Sequence, residues 1–291
     1  MEAMARGFSF QARKQKVKSI LGGKHSSKLR GRGLDFEEVR TYVPGDDIRN
    51  IDWKVTARTQ KTHSKVFSEE KEKPALIVVD QSKSMFFGSV KRTKSVVAAE
   101  LAALAAFRIL KEGDRVGGVV FADEGTDIIY PKRDRKNILR FLDKIVNRNK
   151  ELQHSAPVDF EPSLNAVFAK IRNLVTHDFL ILIISDFHRY HPQTIKDIAY
   201  LSRHNDVILA KVFDPMEREI PRANIVASDQ SRQSLMPGKQ KKNRDRFQEG
   251  FESEFIAFQS KMKKYRIPVF RIDTVTGIEK QLKEILQRPR K

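Results

Sequence analysis

The stretch Pro74-Ala-Leu-Ile-Val-Val-Asp-Gln-Ser-Lys-Ser84 decides the fold of this 291-residue chain. Residues 75–79 are apolar without a break, which is typical of a central strand in a parallel sheet that is covered on both faces. Asp80, Ser82 and Ser84 follow directly, and a loop that alternates its side chains can aim all three at one point. One carboxylate and two hydroxyls form a hard oxygen set of the kind that magnesium and manganese prefer. The stretch therefore predicts a buried strand that ends in a divalent-metal site, with a turn capped by Asp80 as the alternative.

The chain beyond this strand alternates short apolar runs with segments of helical periodicity, which predicts an α/β fold. We expect a doubly wound, mostly parallel sheet with helices on both faces, plus a small N-terminal β-rich module. The predicted strands are residues 75–79, 115–121, 126–130 (a hairpin partner), 179–185, 207–213 and 268–272. The predicted helices are residues 91–111, 134–148, 162–175, 192–203, 244–265 and 277–287. Residues 215–242 are expected to be rich in loops and to contain a hairpin.

A second acidic residue, Asp186, follows the apolar run at residues 179–185. Ligands bind to parallel α/β sheets at the carboxyl ends of the strands, where diverging loops leave a crevice. We therefore expect Asp80 and Asp186 to share one site. His188 and His191 lie close by in the sequence, and they are interpreted as part of a solvated loop or as a separate surface metal site.

The metal motif resembles the metal-ion-dependent adhesion site of the von Willebrand factor A fold, from about residue 74 to the C-terminus. That resemblance implies that Asp80, Ser82 and Ser84 contact Mg²⁺ or Mn²⁺, with Asp186 as the acid of a third loop. A carboxylate from a partner protein would then complete the coordination.

The second loop of this adhesion-type site departs from the family. Pro157-Val158-Asp159 stands where the family usually has Gly-Thr-Asp, and the side chain of Val158 cannot bind a metal. Either Asp159 takes over, directly or through water, or the metal is bound more weakly than is normal for the family.

A longer signature precedes the strand: Gly31-Arg-Gly-Leu-Asp-Phe-Glu-Glu-Val-Arg40, then Tyr42-Val-Pro-Gly-Asp-Asp47, Arg49, Ile51-Asp-Trp53 and Ala57-Arg58. It resembles the "domain of unknown function 58" family, which joins such a segment to a von Willebrand-like domain. The resemblance implies a MoxR-type AAA+ ATPase as partner and a chaperone-like role in the assembly or activation of client proteins. We accordingly divide the chain into a basic arm (1–30), a signature module (31–73) and a von Willebrand factor A-like domain (74–291).

The signature module has its own candidate partner-binding residues. They share charge or a large aromatic surface: Arg40, Asp46, Asp47, Arg49, Asp52, Trp53 and Arg58. The alternative is an ion-pair lattice that holds the module on the domain. Residues 44–47 predict a turn, and Trp53, flanked by Ile51 and Val55, is expected in a strand docked on a core.

The excess of basic side chains suggests a competing function. The chain has 56 basic and 37 acidic side chains, a net charge of +19, and residues 1–33 alone carry +8. Further basic clusters lie at residues 239–246 and 288–291. Contact with nucleic acid or with an anionic membrane surface is therefore an alternative to solvated arms. The absence of cysteine and of an apolar signal segment leads us to expect a cytoplasmic protein, either free or peripheral to the membrane.

Catalytic motifs are missing. Nucleophile-elbow, Walker A and His-Glu-x-x-His patterns are absent, and a haloacid-dehalogenase-like phosphatase would need an aspartate where Ser82 stands. We expect neither an enzyme nor a small-molecule substrate. A metal-dependent hydrolase built on Asp80, Asp159 and Asp186 is the remaining enzymatic alternative.

Overall fold

The computed structural model describes residues 26–27, 34–70, 73–153, 161–188, 190–228 and 233–287. Val158 and Asp159 lie outside the described residues, as do nearly all of the basic arm and the basic cluster at residues 288–291.

In its described residues, the N-terminal module is a small antiparallel sheet with one α-helix and one turn of 3-10 helix. Its elements are β1 (Ser26–Ser27), β2 (Leu34–Thr41), α1 (Trp53–Thr59) and β3 (His63–Glu70), and β3 pairs with both other strands. The predicted turn at residues 44–47 is present, with Gly45 at φ +105°. The expected β-rich module is thus confirmed in its strands.

The prediction of a strand around Trp53 was wrong. Trp53 begins helix α1, and its side chain is 70% exposed rather than docked on a core. The reason is local: the Asp52 carboxylate accepts hydrogen bonds from the backbone N–H groups of Lys54 and Val55, both at 3.1 Å. An aspartate cap of this kind stabilises the first turn of a helix and outweighs the alternation of apolar residues.

The second part of the chain is built on one large sheet. Its strands are β4 (Pro74–Asp80), β5 (Arg115–Phe121), β6 (Thr126–Lys132), β7 (Leu180–Ser185), β8 (Asp206–Phe213) and β11 (Val269–Asp273). They lie in the order β11-β8-β7-β4-β5-β6, and all neighbours are parallel except β5 and β6. Strands β9 (Asn224–Ser228) and β10 (Gln233–Pro237) form the expected separate hairpin.

Helices cover both faces of this sheet. The longer ones are α2 (Lys94–Lys111), α3 (Arg135–Glu151), α4 (Glu161–Leu174), α5 (Pro192–Leu201), α7 (Lys241–Lys263) and α8 (Ile278–Gln287), with a single turn, α6, at Pro215–Arg218. Helices α2, α3 and α8 pack on one face against Ala75, Ile77 and Val79. Helices α4, α5 and α7 pack on the other face, on the side of Leu76 and Val78.

This arrangement confirms the predicted α/β fold class, a doubly wound and mostly parallel sheet. Strand β4 lies at its centre, and residues 75–80 are buried. The chain leaves β4 toward β5 and β6 and then returns to β7 on the opposite side. Strands β4 and β7 therefore flank the topological switch point, where the following loops diverge and ligands bind. Within the described residues, no helix is both long and apolar enough to cross a membrane.

We predict that Gly118→Ala destabilises the protein, because a Cβ there would lie 2.1 Å from Cε2 of the buried Phe141 ring. Overpacking of this kind lowers the free energy of unfolding by about 1–3 kcal/mol, which urea denaturation can measure. Gly277→Ala is the control, since no described atom beyond Gly277 and its two chain neighbours lies within 4 Å of its Cβ position. Equal stability of the two variants would contradict this packing.

Candidate metal centre

The loop that follows β4 folds back on Asp80. The backbone N–H of Ser82 donates to Asp80 Oδ1 at 2.8 Å, and Asp80 is buried. Residues Lys83–Met85 then form one turn of 3-10 helix. The Ser82 and Ser84 hydroxyl oxygens lie 3.2 Å apart. The turn thus places the two hydroxyls within hydrogen-bond distance of each other, just after the end of the central strand.

Buried polar contacts hold this loop in place. The Gln81 side chain donates from Nε2 to the carbonyl of Ser95 in α2, at 3.0 Å, and its Oε1 accepts from Asn149 of α3, at 2.9 Å. The Lys83 ammonium donates to the carbonyl of Leu152 at 2.6 Å. Helices α2 and α3 therefore hold the loop in place.

The end of β7 completes the edge of the site. The Ser185 hydroxyl donates to Asp80 Oδ2 at 2.6 Å, and the backbone N–H of His188 donates to Asp186 Oδ1 at 3.0 Å. The structure thus brings Asp80, Ser82, Ser84 and Asp186 to one edge of the sheet, as the sequence predicted.

A buried lysine also enters the site. Lys94 is the first residue of α2, and its ammonium lies 2.8 Å from Asp186 Oδ2 and 2.5 Å from Glu217 Oε1. Its side chain is only 3% exposed. Lys211 of β8 adds a hydrogen bond from its ammonium to the backbone carbonyl of Asp186. Asp186 is therefore already held by cationic side chains.

The two aspartates differ in charge environment. Burial raises the pKa of Asp80 to about 7, and repulsion from the Asp186 carboxylate adds to this increase. Asp186 is buried as well, but the Lys94 ammonium holds the pKa of its carboxyl below the usual range. Within the described residues, Asp80 accepts hydrogen bonds from neutral donors alone. Asp80 is thus the carboxylate that lacks a compensating cation.

The residues present fit a divalent cation beside Asp80. Neighbouring ligands in an octahedral Mg²⁺ shell, with bonds of about 2.1 Å, lie about 3 Å apart, close to the 3.2 Å between the two serine hydroxyls. Such an ion would also neutralise Asp80. Asp80, Ser82 and Ser84 would hold it, and Asp186, engaged by Lys94, would act on it from a distance. Among the described residues, no group of three or more His, Cys, Asp or Glu is placed to bind a metal.

Sequence reasoning did not identify Gln81, Lys94 and Asp214 as residues that shape this edge. Asp214 follows β8 and accepts from the Thr274 hydroxyl at 2.6 Å and from the Ser89 N–H at 2.8 Å. Two signals were present. The first is that Asp214 follows an apolar strand, just as Asp80 and Asp186 do. The second is that Lys94 lies in the first turn of α2, where a positive charge is unfavourable because of the helix dipole.

An apolar rim borders the loop. Phe86, Phe87 and Val90 follow the two serines directly, and all three side chains are exposed. The Lys83 ammonium lies 5.2 Å from the centre of the Phe86 ring. A polar centre thus stands next to exposed apolar surface.

The candidate residues of the N-terminal module fall into two groups. Arg40 pairs with Asp46 at 2.6 Å, Asp52 pairs with Lys65 at 3.5 Å, and Asp47 accepts from the backbone N–H of Arg49 at 3.0 Å. These contacts lie inside the module and stabilise the module itself. Trp53, Arg49 and Arg58 remain as candidate partner-binding residues.

Comparison with known proteins places this geometry in context. The family described as "Protein of unknown function DUF58" matches residues 38–254. An uncharacterized protein of Mycobacterium tuberculosis, Rv1480, is 28% identical over 209 residues, which are 72% of this chain. The match spans 64% of the length of that relative. The expected resemblance to the family is confirmed.

Solved structures with related folds are more distant. BatB from Bacteroides thetaiotaomicron, a conserved hypothetical protein, is 15% identical with a TM-score of 0.42, and the match covers 73% of this chain and 95% of that one. An aerotolerance-related membrane protein from Bacteroides fragilis is 16% identical, also with a TM-score of 0.42, over 73% of this chain and 97% of that one.

We predict that Lys94→Met lowers the free energy of unfolding by about 3–5 kcal/mol, because it removes the ammonium that pairs with the buried Asp186 carboxylate. The double variant Lys94→Met/Asp186→Asn is expected to recover part of this loss. Lys65→Met, which removes the exposed pair with Asp52, should cost about 1 kcal/mol at most. Additive effects in the double variant, measured by denaturant unfolding, would contradict a direct pairing of Lys94 with Asp186.

Asp80→Asn is expected to stabilise the metal-free protein more at pH 8 than at pH 5. The pKa of Asp80 is raised to about 7 in the folded protein, so the folded state holds the proton that the unfolded chain releases near pH 4. Wild-type stability from this group therefore falls as the pH rises from about 4 to about 7, and asparagine removes that loss. Unfolding in chelator at both pH values tests the difference, and a pH-independent difference would contradict it.

Proposed function

Because the chain belongs to the DUF58 family of proteins of unknown function, we propose its role from the site: a non-enzymatic protein-interaction module that binds its partner through a divalent cation. Mg²⁺ or Mn²⁺ would be held by Asp80, Ser82 and Ser84. The observation that carries this proposal is the convergence of the two serine hydroxyls, 3.2 Å apart, beside a buried carboxylate without a cation.

The coordination leaves room for a partner. Three protein ligands do not fill the six positions that Mg²⁺ requires. A single carboxylate also leaves the ion with net positive charge, so a carboxylate from another protein would be attracted to an open position. Asp159, which lies outside the described residues, stays a candidate for one further ligand. The ion would act as a bridge between two proteins.

The surroundings of the site favour a protein as the occupant. Phe86, Phe87 and Val90 are exposed directly after the serine motif, and Val90 is 67% exposed. Protein interfaces combine apolar contacts of this type with a few polar groups that fix the orientation. A partner that offers a carboxylate to the ion could bury this rim at the same time.

The family resemblance suggests which partners to test. We extend the proposal to a MoxR-type AAA+ ATPase and to client proteins whose assembly or activation the pair would support. Trp53, Arg49 and Arg58 are exposed and belong to the residue types found at interaction hot spots, so they are further candidates for contact with a partner.

A second candidate function rests on the basic cluster at residues 239–246. Lys239, Lys241 and Lys242 are exposed, and the latter two open helix α7. Cations are unfavourable at a helix N-terminus, so this cluster does not stabilise the helix. Nucleic acid or an anionic membrane surface would be its ligand. A two-metal hydrolase is less well supported, because Asp186 is already engaged by Lys94.

Calorimetric titration of Mg²⁺ and Mn²⁺ tests the main proposal. We expect one site per chain in the wild type, and loss of binding in Asp80→Ala and in Ser82→Ala/Ser84→Ala. Ser89→Ala is the matched control, since Ser89 lies in the same loop but interacts with Asp214. Absence of binding in the wild type would refute the proposal, and so would equal binding by all variants.

The alternative function makes a different prediction about the same proteins. Binding through basic segments should weaken steeply with salt and on trimming residues 1–30, and it should survive Asp80→Ala. Binding through the metal should be lost in chelator and survive the trimming.

A further inference from the structure

A groove of about 740 Å³ opens next to the metal centre. Aromatic side chains form most of its apolar wall: Phe187, Tyr190, Phe247, Phe251, Phe255 and Phe258. We call it the aromatic groove. Asp186 and Glu217 also line it, and both contact Lys94, so one of its ends coincides with the edge of the metal centre.

Helix α7 builds one side of the aromatic groove. Phe247, Phe251 and Phe255 follow each other at intervals of four residues and therefore lie on one face of the helix. Phe255 and Phe258 are buried, whereas Phe247 and Phe251 are half-buried. The Phe258 ring contacts Phe187 and Tyr190, with centroids 5.2 and 4.8 Å away. Phe255 and Phe258 thus form the buried base of the groove, while Phe247 and Phe251 remain accessible to a ligand.

Close packing in the described part of the chain does not require glycine at position 250. It lies inside α7, where glycine is less favourable than alanine because it leaves the unfolded backbone more freedom. In the described part of the chain, no side chain or neighbouring element lies within 4 Å of the position its Cβ would take. Gly250 nevertheless lines the aromatic groove. A missing side chain at this point keeps the mouth of the groove open.

Charges of both signs surround the mouth. The exposed side chains of Arg246 and Glu254 lie on α7, and the Lys211 ammonium lies on the opposite wall, bonded to the backbone carbonyl of Asp186. Asp186 and Glu217 share Lys94. The groove therefore has an apolar interior and a nearly balanced rim, which suits an uncharged side chain better than a strongly charged ligand.

We propose that the aromatic groove binds an aromatic side chain of the same partner segment whose carboxylate reaches the metal centre. The inference rests on the proposed function, since the groove and the metal centre share Asp186. The ligand class is a peptide with an acidic residue close to an aromatic one. The acidic residue would meet the cation, and the aromatic residue would pack against Phe247 and Phe251 next to Gly250.

Peptide titration followed by NMR tests the proposal on the full chain. The probe is acetyl-Gly-Glu-Gly-Phe-Gly-amide, with matched peptides in which Phe is replaced by Ser or Glu by Gln. Spectra of the ¹⁵N-labelled protein are recorded at millimolar peptide with Mg²⁺ or with chelator. We expect the backbone signal of Gly250 to shift with the Phe peptide and not with the Ser peptide.

Two variants of Gly250 separate blocking from misfolding. Gly250→Leu places a side chain in the groove and should weaken binding of the Phe peptide by about tenfold or more. Gly250→Ala adds only a methyl group, so it should bind nearly as the wild type does. Both replacements should raise the melting temperature, because both residues favour the helix more than glycine does. The melting temperature of each variant therefore shows whether it is folded.

The outcomes distinguish this inference from the proposed function. Phe-dependent binding that is lost in Gly250→Leu but persists in chelator and in Asp80→Ala supports the groove and refutes the metal bridge. Metal-dependent binding whose affinity is unchanged by both Phe→Ser in the peptide and Gly250→Leu in the protein supports the metal bridge and refutes the proposed role of the groove. A Gly250 signal that does not respond to any peptide at millimolar concentration also overturns the groove.

Discussion

The ion pair between Lys94 and Asp186 is the interaction on which the site depends. The switch point of the sheet brings two aspartates together in a buried place, and their charges repel each other. Lys94 compensates Asp186 at 2.8 Å, and it leaves Asp80 with neutral hydrogen-bond donors. Asp186 is thus already neutralised by Lys94, whereas Asp80 would be stabilised by a further cation.

The fold explains why both aspartates are buried. Strand β4 is covered on both faces by helices, and α2 begins beside the ends of β4 and β7. A loop that leaves a fully buried strand keeps its first residues out of solvent, so water cannot solvate the Asp80 carboxylate. Burial also strengthens the interaction between charges at this edge, because electrostatic interactions are stronger in a medium of low polarity. The same packing that forms the core therefore sets the electrostatics of the site.

Much of the fold followed from local patterns in the sequence. The apolar run at residues 75–79 and the alternation after it were enough to predict the sheet, and Asp80 and Asp186 were placed together because both follow buried strands. Lys94 was not predicted, since its role depends on the distance between α2 and β7, which lie far apart in the sequence. Trp53 was misplaced because the cap made by Asp52 determines the local structure. Gly250 had no visible role until the cavity beside it was known.

Anomalous diffraction from a crystal of the protein with bound Mn²⁺ tests the central claim most directly. We predict one peak at about 2.1–2.2 Å from the hydroxyl oxygens of Ser82 and Ser84, with Lys94 still paired to Asp186. A peak bound directly to Asp186 with Lys94 displaced would contradict a metal site at Asp80, and so would the absence of any peak beside Asp80 at saturating Mn²⁺.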